Sequence, residues 1–190
     1  MTEKLYLDAQ QLLEDSFELA HKVLQSGFVP TYVVAVWRGG APMGIAVQEL
    51  LAYHGIETDH IAIRSSSYHA IDQQSASVTV FGLNYLTKKL TNQDRLLIVD
   101  DVFDSGQSID AIIAALAERT RKNLPQDIRV AVTYYKPARN RSTRVPDYYL
   151  HETEAWLKFP HSLEGLSSAE VAENRPHLYQ ILKKACNRQI

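Results

Sequence analysis

The residues best suited to chemistry lie close together between positions 96 and 108. Four apolar residues, 96–99, predict a buried strand of a parallel sheet, and Asp100 and Asp101 follow that strand directly. Asp104 stands a short distance further along the chain. A small turn that carries two hydroxyl groups then leads into a predicted helix, and its residues are Ser105, Gly106, Gln107 and Ser108.

This segment combines two kinds of binding chemistry. Carboxylates at the carboxyl end of a strand attract Mg²⁺ or a cationic transition state. A turn of small residues at a helix N-terminus presents backbone N–H groups to a phosphate. Because both features fall within one short turn, the segment predicts a ligand that carries a phosphate close to a sugar or a metal ion.

Two more polar segments follow predicted strands. Arg38, Gly39 and Gly40 come after the strand 32–37, whose β-branched and aromatic residues favour extended structure. Arg64 opens a second polar segment, which runs to Tyr68 after a predicted strand at 56–63. Ligands of open α/β sheets bind at the carboxyl ends of strands, where the strand order reverses. We therefore expect the three segments to converge on one site.

The remaining sequence predicts elements that could position these segments. Strands alternate with helices, which indicates an α/β fold with a largely parallel central sheet flanked by helices, in a single domain over residues 1–190. Residues 64–85 are polar and predict a long loop or a weak hairpin. The other predicted elements are helices at 8–25, 41–54 and 109–121, strands at 127–135 and 147–151, and a mostly helical, polar tail beyond Trp156.

Composition excludes several classes of protein. The chain has 190 residues, 45% of them hydrophobic, and a net charge of −2, so it lacks the basic excess of nucleic-acid-binding proteins. Its one cysteine, Cys186, excludes an internal disulfide framework. Neither a signal core nor a run of about 20 apolar residues is present. The histidines lack metal-ligand spacing, and we expect a soluble, cytoplasmic protein.

The segment from Asp100 to Ser108 resembles the phosphoribosyl-pyrophosphate (PRPP) motif of type I phosphoribosyltransferases, which is two acids, two apolar residues and then Asp-Thr/Ser-Gly-x-Thr/Ser. The resemblance implies the α/β fold of that family, with a small C-terminal hood. It also implies that Asp100 and Asp101 hold the ribose hydroxyls of PRPP, directly or through Mg²⁺, and that Asp104 is the general base near N7 of a purine. The residues implied to wrap the 5′-phosphate are Ser105, Gly106, Gln107 and Ser108.

The same resemblance assigns roles to the other polar segments. Arg38, Gly39 and Gly40 become the loop that holds the pyrophosphate leaving group, with Arg64 as a further PRPP-binding residue. Ser67 and Tyr68 match the pair that begins a mobile loop in 6-oxopurine transferases and are implied to act in catalysis by closing over the reacting centre.

The acceptor is implied by Lys136, Trp156 and Leu157, which resemble the base pocket of 6-oxopurine phosphoribosyltransferases. There the lysine donates to O6, the aromatic ring stacks on the purine, and the next residue's backbone meets the exocyclic position. His161 and Ser162 depart from the xanthine–guanine pattern, which has a tryptophan and an acid at the corresponding places.

The resemblance therefore implies a purine-salvage enzyme that joins hypoxanthine or guanine, with xanthine as a third candidate, to the phosphoribosyl group of PRPP. It implies Mg²⁺ as cofactor, small molecules as partners rather than nucleic acid or membrane, and a homodimer or homotetramer. Two alternatives stay open, namely a regulator that binds PRPP with the same fold and a transferase for orotate, adenine or uracil.

Overall fold

The computed structural model describes residues 4–68 and 77–186. These residues form two compact units, one of Gln10–Glu154 and one of the described parts of Met1–Ala9 and Ala155–Ile190. The assignment of residues 1–190 to a single domain stays a prediction, as does the position of the C-terminal hood.

The larger unit holds most of the regular structure. Its strands are β2 (Tyr32–Trp37), β3 (Asp59–Tyr68), β4 (Ser77–Phe81), β5 (Arg95–Phe103), β6 (Asp127–Tyr135) and β7 (Tyr148–Glu152). Its helices are α1 (Ala9–Gln25), α2 (Gly40–Tyr53), α3 (Asn84–Lys89) and α4 (Gln107–Thr120), with short 3₁₀ turns at Arg121–Asn123 and Pro137–Arg139. The smaller unit holds β1 (Lys4–Tyr6), β8 (Trp156–Lys158), α5 (Ser168–Asn174) and α6 (Pro176–Cys186).

The six strands of the larger unit form one sheet in the order β4-β3-β2-β5-β6-β7. Every neighbouring pair is parallel except β3 and β4, which are antiparallel. This confirms the predicted α/β class, with a central, mainly parallel sheet flanked by helices.

Helices cover the two faces of this sheet. Val34 and Val36 of β2 belong to the same buried cluster as Ile109 and Ile112 of α4. Ala35 points the other way and lies against α2, since successive strand residues face opposite sides. The continuous apolar runs of the inner strands follow from this burial on both faces.

Within the polar segment 64–85, residues 64–68 and 77–81 are antiparallel paired strands, as the alternative of a hairpin predicts. Strand β3 continues to Tyr68 and pairs with β4, in which Val80 is buried and its neighbour Thr79 is exposed. The serines hid this strand because their strand propensity is low, whereas pairing at a sheet edge satisfies the backbone. Helix α3 follows, and residues 69–76 lie outside the described residues.

The smaller unit is built around a two-stranded parallel sheet of β1 and β8, in which Lys4 lies opposite Trp156. Helix α5 begins with a capping box formed by Ser167 and Glu170. Glu170 also pairs with Lys4, so α5 is attached to β1 by a charge contact. The helical tail is confirmed by α5 and α6, whereas β1 and β8 escaped prediction because three-residue strands have too little periodicity. Among the described residues, no helix is long and apolar enough to cross a membrane.

Candidate active site

Two polar loops meet where the strand order of the large sheet reverses. From β2 the chain goes to β3 on one side of the sheet, and from β5 it goes to β6 on the other. The loops after β2 and β5 therefore lie side by side at the carboxyl ends of adjacent parallel strands. A Cβ added to Gly39 would lie 1.8 Å from Asp101 Oδ2, which shows how closely the two loops pack. This is the position at which open α/β sheets bind ligands.

The loop after β2 requires its two glycines for this packing. A Cβ on Gly40 would lie 2.5 Å from the carbonyl oxygen of Val99 and 2.7 Å from Asp100 Cα. The peptide bond between Trp37 and Arg38 is cis. The resemblance assigned these glycines to a loop that holds pyrophosphate, and the structure adds that they allow the loop to pack on β5.

Asp100 and Asp101 form a closely spaced acid pair. Burial and the neighbouring charge of Asp101 raise the pKa of Asp100 well above its usual value, although the backbone N–H groups of Asp101 and Gly40 partly offset this by donating to its carboxylate. The Thr133 hydroxyl donates to the Asp101 carbonyl oxygen at 2.8 Å and fixes the backbone at this point. Since two adjacent carboxylates repel each other, a cation beside them would be stabilised.

The turn after β5 lines a cavity of about 240 Å³ that extends from Asp100 to Ile109. Gly106 lies in the left-handed region, with φ of +79°, and directly precedes α4. The first turn of a helix leaves backbone N–H groups without partners inside the helix, and these groups favour an anion. The Ser105 hydroxyl accepts a hydrogen bond from the Gln107 N–H at 3.4 Å, which tightens the turn. The turn therefore has the geometry and dipole of a phosphate site.

Two cations contact Asp104. Lys136 follows β6, is 4% exposed, and places Nζ 3.7 Å from Asp104 Oδ2. Arg139 places Nε 2.8 Å from Asp104 Oδ1. The contact is an ion pair without hydrogen-bond geometry, since the buried Oδ1 has no hydrogen-bond partner among the described residues.

The pattern of the phosphoribosyl transferase domain family matches residues 4–168, which is most of the chain. The chain belongs to the phosphoribosyltransferase family. A search of curated protein sequences finds no match.

Solved structures of other proteins share the fold of this phosphoribosyltransferase. A purine phosphoribosyltransferase from Pyrococcus horikoshii is 25% identical, with a TM-score of 0.69 over 87% of this chain and 97% of its own. The xanthine-guanine-hypoxanthine phosphoribosyltransferase of Helicobacter pylori is 22% identical, with a TM-score of 0.63 over 83% and 92%. A hypothetical protein from Neisseria gonorrhoeae with bound ppGpp is 17% identical, with a TM-score of 0.70 over 95% and 98%.

The sequence did not predict a role for residues 139–144, which pack on the turn between β5 and α4, the phosphate turn. The Arg141 N–H donates to the Ser105 carbonyl oxygen at 3.0 Å, and the Ser142 hydroxyl donates to Asp110 Oδ1 at 2.8 Å. A Cβ on Gly106 would lie 2.6 Å from Ser142 Cβ. The only signal in the sequence is the concentration of arginines at 139–144.

Of the predicted residues in β3, Arg64 lies beside the end of β2. Arg64 pairs with Trp37, and its guanidinium lies 5.7 Å from the centre of the Phe81 ring. Ser67 and Tyr68 end β3, and their catalytic role stays a prediction. The lid that they were expected to begin lies outside the described residues.

The other two predicted base-binding residues belong to the smaller unit. Trp156 is 51% exposed, and Leu157 lies opposite Leu5 in the ladder of β1 and β8. Their placement against a purine bound at Lys136 stays a prediction. Within the described ranges, the structure holds no cluster of three or more His, Cys, Asp or Glu side chains suited to a metal ion. The assignment of Mg²⁺ to Asp100 and Asp101 likewise stays a prediction.

Proposed function

We propose that this phosphoribosyltransferase transfers the 5-phosphoribosyl group of PRPP to a 6-oxopurine, hypoxanthine or guanine, and releases pyrophosphate. The observation that carries the proposal is the pairing of the buried Lys136 ammonium with Asp104, 3.7 Å apart and next to the phosphate turn. The likeness to the Pyrococcus horikoshii purine phosphoribosyltransferase supports the purine class.

Lys136 and Asp104 suit the two edges of a 6-oxopurine ring. An ammonium carries only hydrogen-bond donors, so Lys136 favours the carbonyl O6 and opposes the amine that adenine carries at the same position. The Asp104 side chain is 35% exposed, and its carboxylate can accept the N7 proton as the new bond forms at N9. Arg139 pairs with the buried Oδ1 of the same carboxylate.

The two loops at the sheet reversal would hold PRPP. The first turn of α4, with Ser105 and Ser108, would bind the 5′-phosphate. The loop at 38–40 would bind the pyrophosphate, where Arg38 neutralises charge that builds up on the leaving group. Catalysis would then rest on positioning and charge stabilisation.

The acid pair fits a magnesium ion, which we propose as the cofactor. Asp100 and Asp101 are adjacent in the chain and their carboxylates repel each other, so a divalent cation beside them would relieve that repulsion. Mg²⁺ commonly takes one or two carboxylates and completes its shell with water and substrate oxygens, so Asp101 with the ribose hydroxyls of PRPP would suffice. The ion would neutralise the charge of the departing pyrophosphate.

A lysine replacement tests the proposal. We expect Lys136→Met to lower kcat/KM for hypoxanthine by about 10–100-fold, the effect of losing one charged hydrogen bond in a buried site. Lys122→Met, which removes an exposed lysine from a 3₁₀ turn, is the matched control and should match the wild-type protein. Pyrophosphate release with PRPP and Mg²⁺ is the readout. Equal activity of the two variants would show that Lys136 does not recognise the base.

The same assay separates the two alternatives. A regulator would bind PRPP, measurable by calorimetry, but release no pyrophosphate with any base. A transferase for another nucleobase would release pyrophosphate with adenine, uracil or orotate and not with hypoxanthine.

A further inference from the structure

One carboxylate in the larger unit lies between two cations, which contact different oxygens. Asp104 Oδ1 lies 2.8 Å from Arg139 Nε, whereas Oδ2 lies 3.7 Å from Lys136 Nζ. The second distance exceeds the roughly 2.7–3.2 Å of an N–H···O hydrogen bond. The Lys136 side chain is buried, so little water screens its attraction for Asp104, and a direct contact would be expected. The wider spacing implies that another contact holds the carboxylate away from Lys136.

Backbone hydrogen bonds fix these three residues relative to one another. The Lys136 N–H donates to the carbonyl oxygen of Phe103, the residue before Asp104, at 3.0 Å. The Arg139 N–H donates to the Lys136 carbonyl oxygen at 3.1 Å and closes the 3₁₀ turn Pro137–Arg139. Because the backbone is held in this way, side-chain rotation sets the distance between the Asp104 carboxylate and the Lys136 ammonium.

We propose that Arg139 is a positioning residue that holds the Asp104 carboxylate away from Lys136. Its guanidinium attracts Oδ1 and thereby keeps the carboxylate from rotating into a direct hydrogen bond with the ammonium. Asp104 lines the cavity of the phosphate turn, so the separated charges stay available to a ligand there instead of neutralising each other. The spacing rests on these contacts alone. Its effect on catalysis rests on the proposed function, in which Lys136 binds O6 and Asp104 accepts the N7 proton.

The distance between Lys136 and Asp104 sets the size of the effect. Suppose that, without Arg139, the ammonium and the carboxylate close from 3.7 Å to about 2.8 Å, at an effective dielectric constant of about 20. Coulomb's law then strengthens their attraction by roughly 10-fold, expressed as an equilibrium constant. A base would have to open this closed pair before it could bind, so kcat/KM for hypoxanthine should fall by the same factor.

A double-mutant cycle measures the pairing of Lys136 with Asp104 independently of any reaction. Lys136→Met and Asp104→Asn are made singly and together, and their free energies of unfolding in urea give the coupling between the two side chains. When the cycle is repeated in the Arg139→Gln variant, we expect this coupling to increase by roughly 10-fold, expressed as an equilibrium constant. Arg139→Lys, which retains a cation, should leave the coupling close to its wild-type value. Arg119→Gln removes an exposed arginine from the last turn of α4 and is the matched control, in which the coupling should not change.

Activity measurements test the consequence for the proposed function. Arg139→Gln should lower kcat/KM for hypoxanthine by roughly 10-fold while PRPP affinity, measured by calorimetry, stays unchanged. Arg139→Lys should recover most of the lost activity. Because half of the Arg139 side chain is exposed, its replacement should leave the fold intact.

The outcomes separate this inference from the proposed function. A Lys136–Asp104 coupling that Arg139→Gln leaves unchanged would overturn the inference, whatever the activity. An increased coupling in a protein that turns over no 6-oxopurine would support the inference and overturn the proposed function. A fall in PRPP affinity with the coupling unchanged would assign Arg139 to phosphate binding and so would also overturn the inference.

Discussion

Replacement of Gly106 by alanine should destabilise the protein far more than the same replacement at another glycine of similar conformation. Gly106 has φ of +79°, and a Cβ there would lie 2.6 Å from Ser142 Cβ and 2.8 Å from the Phe103 ring. Gly55 has φ of +76° with no atom within 4 Å of an added Cβ. The two variants therefore share the backbone strain, and only Gly106→Ala adds a collision.

The magnitudes follow from these two contributions. A left-handed conformation costs a residue with a Cβ about 1–2 kcal/mol, so Gly55→Ala should lower the free energy of unfolding by about that amount. Overpacking of a rigid site adds about 1–3 kcal/mol, so the loss for Gly106→Ala should be about 2–5 kcal/mol. The neighbours can yield little, because Phe103 is 1% exposed and Ser142 is bonded to Asp110.

Urea unfolding followed by circular dichroism measures both losses, provided that the m-values agree. The double variant Gly106→Ala with Ser142→Gly should recover part of the loss, since it removes the nearest atom in the collision. Equal losses for Gly106→Ala and Gly55→Ala would refute the packing of segment 139–144 on the phosphate turn.

Three further predictions concern single side chains. Asp104→Asn should retain PRPP affinity by calorimetry but lower kcat by about 10²–10⁴-fold, and a kcat within about threefold of wild type would make Asp104 structural. Trp156→Ala should weaken purine binding by about 1–3 kcal/mol in a fluorescence titration with PRPP affinity unchanged, whereas equal weakening of both substrates would place Trp156 outside the base pocket. The Lys4 ammonium, together with hydrogen bonds from Ser167, lowers the pKa of Glu170 from 4.5 to about 2, so the stabilising effect of this carboxylate is present above pH 4.5 and is lost as pH falls toward 2. The thermal midpoint should therefore fall more steeply over this range in the wild-type protein and in the control Glu173→Gln than in Glu170→Gln, and equal slopes would contradict the role of this ion pair.

Elements with a clear period were predictable from sequence. The apolar spacing of 8–25 gave α1, and the apolar runs at 32–37 and 127–135 gave β2 and β6. The predicted strand at 56–63 ends too early, because the serine-rich second half of β3 is stabilised by its pairing with β4 and not by its own strand propensity. Helix α3 was missed because it has only six residues, of which Leu86 alone is buried, so its sequence shows no helical period.

Some contacts of the site were predictable from the sequence and others were not. The proximity of Asp104 to Lys136 follows from strand topology, since both residues stand just after adjacent parallel strands. The contact of Arg139 with Asp104 depends on the 3₁₀ turn after β6, whose path no local pattern reveals. The packing of Gly39 against Asp101 joins two loops distant in sequence, so only the folded chain shows it.

A single competition reaction tests the central claim most directly. Hypoxanthine, guanine, xanthine, adenine, uracil and orotate are supplied at equal concentration with Mg²⁺ and a limiting amount of PRPP, and the nucleotides formed are identified by chromatography and mass spectrometry. We expect the monophosphates of hypoxanthine and guanine as the main products, with that of xanthine at least about tenfold lower near neutral pH, because a mismatched polar contact at C2 costs on the order of 1–3 kcal/mol. Formation of the adenine, uracil or orotate nucleotide in place of these products, or of no nucleotide at all, would contradict this claim.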